Sequence, residues 1–208
     1  DMANLKSIKS KIFSYKKTGT VTHAMEAVSA VKMRKGQERA LSGRAYAAAA
    51  LSVLERLSGT ADIARHPLMR EREGKTAVIV VTSDKGLAGA LNSGVIRRVE
   101  AEISRLNLDK DNVAVYAFGR KGGEYFTSRG YTVEGIHTNV SDAILESEMS
   151  EMTKALLSRS DVASVIVAYQ NFISTFEQAP TVRQIVPIRP DTMKEIVAGI
   201  RPAKGKYA

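Results

Sequence analysis

Cysteine and tryptophan are absent from this 208-residue chain, so neither disulfides nor thiolate metal sites can contribute to it. Histidine occurs only at His23, His66 and His137, in separate segments and never as the i, i+4 pair that puts two metal ligands on one helical face. No run approaches the roughly 20 apolar residues that a membrane-spanning helix requires. Proline is scarce in an uneven way. All five prolines lie at or after Pro67, which leaves the opening segment free of the residue that most strongly breaks a helix.

That proline-free opening sets the main expectation. From Leu5 to about Leu57 only the isolated Gly19, Gly36 and Gly43 weaken helix propensity. Leu5, Ile8, Ile12 and Tyr15 step by three and four, as a coiled-coil seam does, and the stripe resumes at Val21, Met25, Val28 and Val31. It then turns small at Ala40, Gly43, Ala47 and Ala50, where a second helix could approach closely. Such a helix is on the order of 80 Å long, whereas a compact chain of about 200 residues has a radius of gyration of about 17 Å. The helix is therefore expected to reach past its own domain and to need a partner. A second copy of the chain is one candidate for an otherwise uncovered seam.

The net charge of +9 sits at the two ends. Residues 1–44 hold ten Lys and Arg against three acidic residues, and residues 183–208 hold six against two. Both ends favour an acidic partner, whether protein, nucleic acid or anionic lipid. Phe13, Tyr15 and Tyr46 are the only aromatics on the long helix. Such sparse interleaving with basic residues is poor for stacking on single strands. A basic nucleic-acid-binding protein remains the alternative reading.

After the helix the pattern changes. Residues 59–74 are polar and punctuated by His66-Pro67 and Gly74, as a linker is. Residues 75–190 then alternate strands and helices: strands at 76–82, 113–118, 131–136, 162–169 and 182–188, the last a candidate for antiparallel pairing and bounded by Pro180 and Pro187. Helices are expected at 91–106, 122–128 and 141–156, the last opened by Ser141 and Asp142. This is the grammar of a Rossmann-like α/β domain with a mostly parallel sheet, preceded by a long helix over 1–58 and followed by a basic tail at 191–208.

SDKGLAGALN at 83–92 stands where a phosphate cradle sits in a nucleotide-binding fold. It has neither the GxGxxG spacing nor a GK[ST] ending. Gly86 and Gly89, like Gly119, Gly122 and Gly123, are better assigned to tight turns. Ser83-Asp84 has no histidine near it in sequence and reads as a capping pair. No catalytic group, metal ligand set or cofactor is indicated.

Three segments, TGTVTHAMEAVSAVKMRKGQERA at 18–40, SDKGLAGALN at 83–92 and YQNFISTFEQAPTVRQIVPI at 169–188, resemble the gamma subunit of F-type ATP synthase in the same order. The resemblance implies a central-stalk rotor without catalysis of its own, coupling proton-driven rotation to ATP synthesis or hydrolysis on beta subunits. Its implied partners are the alpha and beta subunits of the hexamer, the epsilon subunit and the membrane c-ring, with no nucleic acid and no cofactor. Its implied location is peripheral, on the cytoplasmic face of a bacterial inner membrane. Matched to the family's motifs, Met25, Lys32, Arg34, Lys35 and Gln37 would face the acidic lever region of beta. Lys85, Gly86, Leu87 and Ala88 would approach the lower rim of the hexamer, with Ala88 in place of a frequent cysteine. The family's second long helix has no counterpart here, so the chain is expected to be a fragment.

Overall fold

The computed structural model of the chain describes residues 2–57, 65–139, 146–174, 176–189, 192 and 195. The chain divides into two compact units, residues 1–46 and 47–208. Helix α1 runs without interruption from Met2 to Leu57, 56 residues, as the proline-free opening predicts. The seam residues Leu5, Ile8, Ile12, Tyr15, Val21, Met25, Val28 and Val31 are all exposed. A Cβ built on Gly19, Gly36 or Gly43 meets no atom within 4 Å, so nothing in the structure itself requires glycine at these positions.

The second unit is a five-stranded sheet in the order β3-β2-β1-β4-β5. Its strands are β1 (Lys75–Val81), β2 (Val113–Phe118), β3 (Thr132–His137), β4 (Val162–Phe172) and β5 (Gln178–Val186). The first four are parallel, and β5 pairs antiparallel with β4. Three helices connect the parallel strands: α2 (Leu91–Arg105), α3 (Arg120–Ser128) and α4 (Glu146–Leu157). The AVIVV run makes β1 the central strand, and its alternating side chains feed two separate cores. Val78 and Val80 pack with Val95, Val99 and Ile103 of α2 and Phe126 of α3. Ala77 and Ile79 face Leu156 and Met152 of α4 on the other side. The first two crossovers step away from β1 in one direction and the third returns past it. Right-handed crossovers then place α2 and α3 on one face and α4 on the other.

Some boundaries move, each for a physical reason. Strand β5 begins at Gln178 rather than 182, so Pro180 lies inside it, opposite Gln170. An edge strand tolerates a residue without an N–H. Helix α3 starts at Arg120, two residues earlier than its spacing predicts. The expected start of α4 at Ser141 and Asp142 lies outside the described residues, as does nearly all of the tail at 191–208. Residue 58 and, in the segment read as a linker, 59–64 are also outside them. Residues further on are anchored: Leu68 packs into the α4-side core, its carbonyl accepts the Ile188 N–H at 2.8 Å, and Glu71 pairs with Arg189.

Candidate functional site

The segment 82–92 leaves β1 at the C-terminal edge of the sheet, next to the point where strand order reverses between β1 and β4. Open α/β sheets bind ligands at this position. Here the edge is filled by the chain's own groups. The Asp84 carboxylate accepts the Arg120 N–H at 2.8 Å through Oδ1 and the Asn139 N–H at 2.7 Å through Oδ2. The Arg120 guanidinium returns the contact, donating from Nε at 3.2 Å and from Nη2 at 2.9 Å to the Asp84 carbonyl oxygen. The two main-chain donors, first that of Arg120 and then that of Asn139, hold the Asp84 carboxyl below its ordinary pKa. The capping reading of Ser83-Asp84 is thus realised across three segments.

Ser83 and Asn92 stitch the two ends of the segment together. The Asn92 Oδ1 accepts the Ser83 N–H at 2.9 Å, and the Asn92 Nδ2 donates to the Ser83 Oγ at 2.9 Å. The Ser83 hydroxyl in turn donates to the Lys85 carbonyl at 2.6 Å. Between these ties the chain turns through left-handed backbone at Leu87 (φ +60°) and Gly89 (φ +56°). A leucine rarely takes that conformation. It leaves the Leu87 side chain 96% exposed. Lys85 and Gly86 are exposed beside it and Ala88 is half-buried. All four expected residues of this segment therefore lie together on one preformed tip.

The glycines after β2 have a different use from the turn assigned to all three. Gly119 does turn, with φ +94°. Gly122 and Gly123 lie within α3 and let it close onto the sheet: a Cβ on Gly122 would come 2.9 Å from Thr82 Oγ1, and one on Gly123 would come 2.7 Å from Ile136. The Thr82 Oγ1 accepts the Gly122 N–H at 2.8 Å. The start of α3 is thus packed against Thr82 and carries the Asp84 carboxylate.

On α1, Met25 and Lys32 are seven residues apart and share one stripe, since seven residues return the helix to within about 20°. Nine residues separate Met25 from Arg34, which places Arg34 on the opposite side. Arg34 Nε bonds Glu38 at 3.1 Å within the helix. Lys35 is exposed and Gln37 half-buried. These five residues form a band around the helix, and no single flat surface can touch all of them.

A feature absent from the sequence reading lies at the β4–β5 turn. Pairing of β4 with β1 ends at Ala168↔Val80, whereas pairing with β5 continues to Phe172↔Gln178. The overhanging ribbon carries Phe176, 98% exposed, on a turn fixed by the Ser174 Oγ, which accepts the Glu177 N–H at 3.1 Å. Serine three residues before glutamate was the available signal. Among the described residues no helix is long and apolar enough to cross a membrane.

A long helix with an exposed apolar seam, joined in sequence to a Rossmann-like domain with a mostly parallel sheet, places the chain in the α/β class. A family model described as ATP synthase matches residues 4–207. The chain is 37% identical over 198 residues to the ATP synthase gamma chain of Geobacter sp. (strain M21), covering 91% of this chain and 67% of that one. It is 36% identical over 196 residues to the gamma chain of Anaeromyxobacter sp. (strain Fw109-5), covering 90% and 67%. The gamma chain of Desulforamulus reducens is 31% identical over 195 residues, covering 92% and 68%. The chain belongs to the ATP synthase gamma-chain family. It spans about two thirds of the length of these relatives. Among solved structures, the central stalk and c-ring of the Tetrahymena thermophila mitochondrial ATP synthase resembles it at TM-score 0.46 and 14% identity, over 82% of this chain and 79% of that one. At those values the likeness adds nothing to the assignment.

Proposed function

We propose that this chain is the central-stalk rotor subunit of an ATP synthase, with α1 as part of its shaft and the α/β unit as a rigid foot. Family membership supports the role. The single observation that carries the mechanical reading is the exposed apolar seam along α1. A helix of this length with an uncovered stripe is stable in water chiefly when another surface covers that stripe. The partners on this reading are a ring of alternating alpha and beta chains around the shaft, with epsilon and the c-ring at the foot. The subunit is peripheral to the membrane, on its cytoplasmic side.

The band formed by Met25, Lys32, Arg34, Lys35 and Gln37 suits a rotor because it offers contacts in every direction as the shaft turns. Exposed ion pairs are worth about 0–1 kcal/mol each, weak enough for acidic lever segments of beta to slide past. The Lys85–Ala88 tip is a second contact, at the edge of the foot. Rotation acts as a coupling free energy between shaft angle and nucleotide affinity on beta.

The test is assembly with alpha and beta chains. The chain should co-elute with the hexamer, and Met25→Lys in the assembled enzyme should lower proton pumping per ATP hydrolysed. Failure to associate with the hexamer at micromolar concentrations would refute the role. Unchanged coupling in Met25→Lys would remove Met25 from the contact.

A further inference from the structure

We propose that Asp84 is a built-in anion that caps the start of α3 and, by doing so, fixes the stance of the Lys85–Ala88 tip. This rests on the reading of that tip as a partner contact. The first N–H groups of α3 have no carbonyl partner within the helix and carry a partial positive charge that favours an anion. Lys121 gives its N–H to the Ser83 carbonyl at 3.1 Å and Gly122 to the Thr82 Oγ1 at 2.8 Å, which leaves that of Arg120 for Asp84. Asp84 supplies a carboxylate there from the segment after β1. Its second oxygen takes the N–H of Asn139, two residues past β3 and itself in left-handed backbone at φ +52°. One side chain thus ties together the segment after β1, the start of α3 and the segment after β3.

The reciprocal bonds from Arg120 to the Asp84 carbonyl clamp the main chain at the base of the tip. The Ser83–Asn92 stitch clamps its two ends. With both in place, Leu87 is held outward in a conformation that a free loop would abandon. Asp84 touches no partner in this scheme. It acts through the tip and is a positioning residue.

Two readouts separate this role from a general effect on stability. In the full chain, Asp84→Ala should speed amide exchange at Arg120 and Asn139 by about tenfold or more, the loss of a charge-assisted bond at each. Asp84→Asn, which keeps the shape but only one accepting oxygen, should speed exchange at one of the two. Asp84→Gly should regain protection in added sodium acetate and not in sodium chloride at equal strength, because acetate restores the missing carboxylate. In the assembled ATP synthase, Asp84→Ala should lower proton pumping per ATP hydrolysed, as Leu87→Ala should.

Unchanged exchange at both amides in Asp84→Ala overturns the proposal. So does normal coupling in Asp84→Ala when Leu87→Ala is uncoupled. Normal coupling in both variants, with exchange accelerated, overturns instead the reading of the tip as a partner contact, and the positional role with it.

Discussion

Gly119 stands so close to Thr82 that a Cβ on the glycine would lie 2.0 Å from the threonine carbonyl oxygen. Main chain meets main chain here, so no side chain can swing away. Thr82 also donates its N–H to the Phe118 carbonyl at 2.7 Å and receives the Gly122 N–H on its hydroxyl at 2.8 Å. The junction of β1, β2 and α3 is built around this contact.

Gly119→Ala is therefore expected to be severe. It combines a left-handed φ of +94° with a backbone clash and should cost about 3 kcal/mol or more. Gly122→Ala meets only the Thr82 and Val80 side chains, at 2.9 to 3.2 Å, and should cost less. Urea unfolding of the two variants would rank them, and equal midpoints would contradict this account of the junction.

Stability should fall in acid through a small set of carboxylates. Glu102 is nearly buried on α2 and receives Arg105 Nη2 at 2.6 Å and Nε at 3.1 Å. That bond, reinforced by the charges of Arg105 and Arg98, holds its carboxyl below the ordinary glutamate value of 4.5 against the opposing effect of burial. Asp84 and Asp161 are lowered too, Asp161 chiefly by the Arg159 guanidinium. Because each binds its proton more weakly when folded, the stabilisation is complete above the unfolded-state pKa. It drains away as pH falls through the lower folded-state pKa. Unfolding measured between about pH 5 and pH 2 should show this slope. Glu102→Gln should flatten it and be less stable at pH 7.

Leu87 offers a test of display against stability. Replacement by Asn or Gly relieves the left-handed strain at φ +60°, a gain of about 1 kcal/mol at most. The exposed side chain has almost no packing to lose among the described residues. Leu87→Asn should therefore leave the melting temperature unchanged or raised while weakening assembly with the hexamer. A variant that melts earlier and assembles normally would mean that Leu87 serves the fold.

Gly43→Ala on α1 should likewise split two measurements. With open space around the position, the exchange should raise helix stability by about 1 kcal/mol, seen as higher helicity of the free chain. If Ala40, Gly43 and Ala47 let a partner helix come close, the same methyl should weaken assembly. Undiminished assembly would move the close contact elsewhere on the seam.

Much of the architecture was legible because its signals are local. The absence of proline before Pro67 marks α1, and the doubly buried AVIVV run marks β1 as central. Other features depend on residues distant in sequence. Pro180 looked like a boundary because edge position is a property of the sheet and not of the residue. Gly122 and Gly123 looked like turn residues because the Thr82 and Ile136 side chains they accommodate arrive from other strands. The Asp84 contacts join positions 36 and 55 residues away, and the sequence offered only a polar pair after a strand. The tip residues Lys85 to Ala88 were singled out through motif resemblance alone. Their left-handed backbone has no sequence signature at Leu87, since that conformation ordinarily selects glycine or asparagine.

The Ser83–Asn92 stitch has a practical corollary. A peptide insert whose two termini are fastened to each other behaves as a detachable module. On the proposed reading of the tip as a partner contact, exchanging its outer residues would retune recognition while the frame beneath keeps its register. A library randomised at the tip and flanked by an unaltered serine and asparagine would explore recognition without gambling on folding.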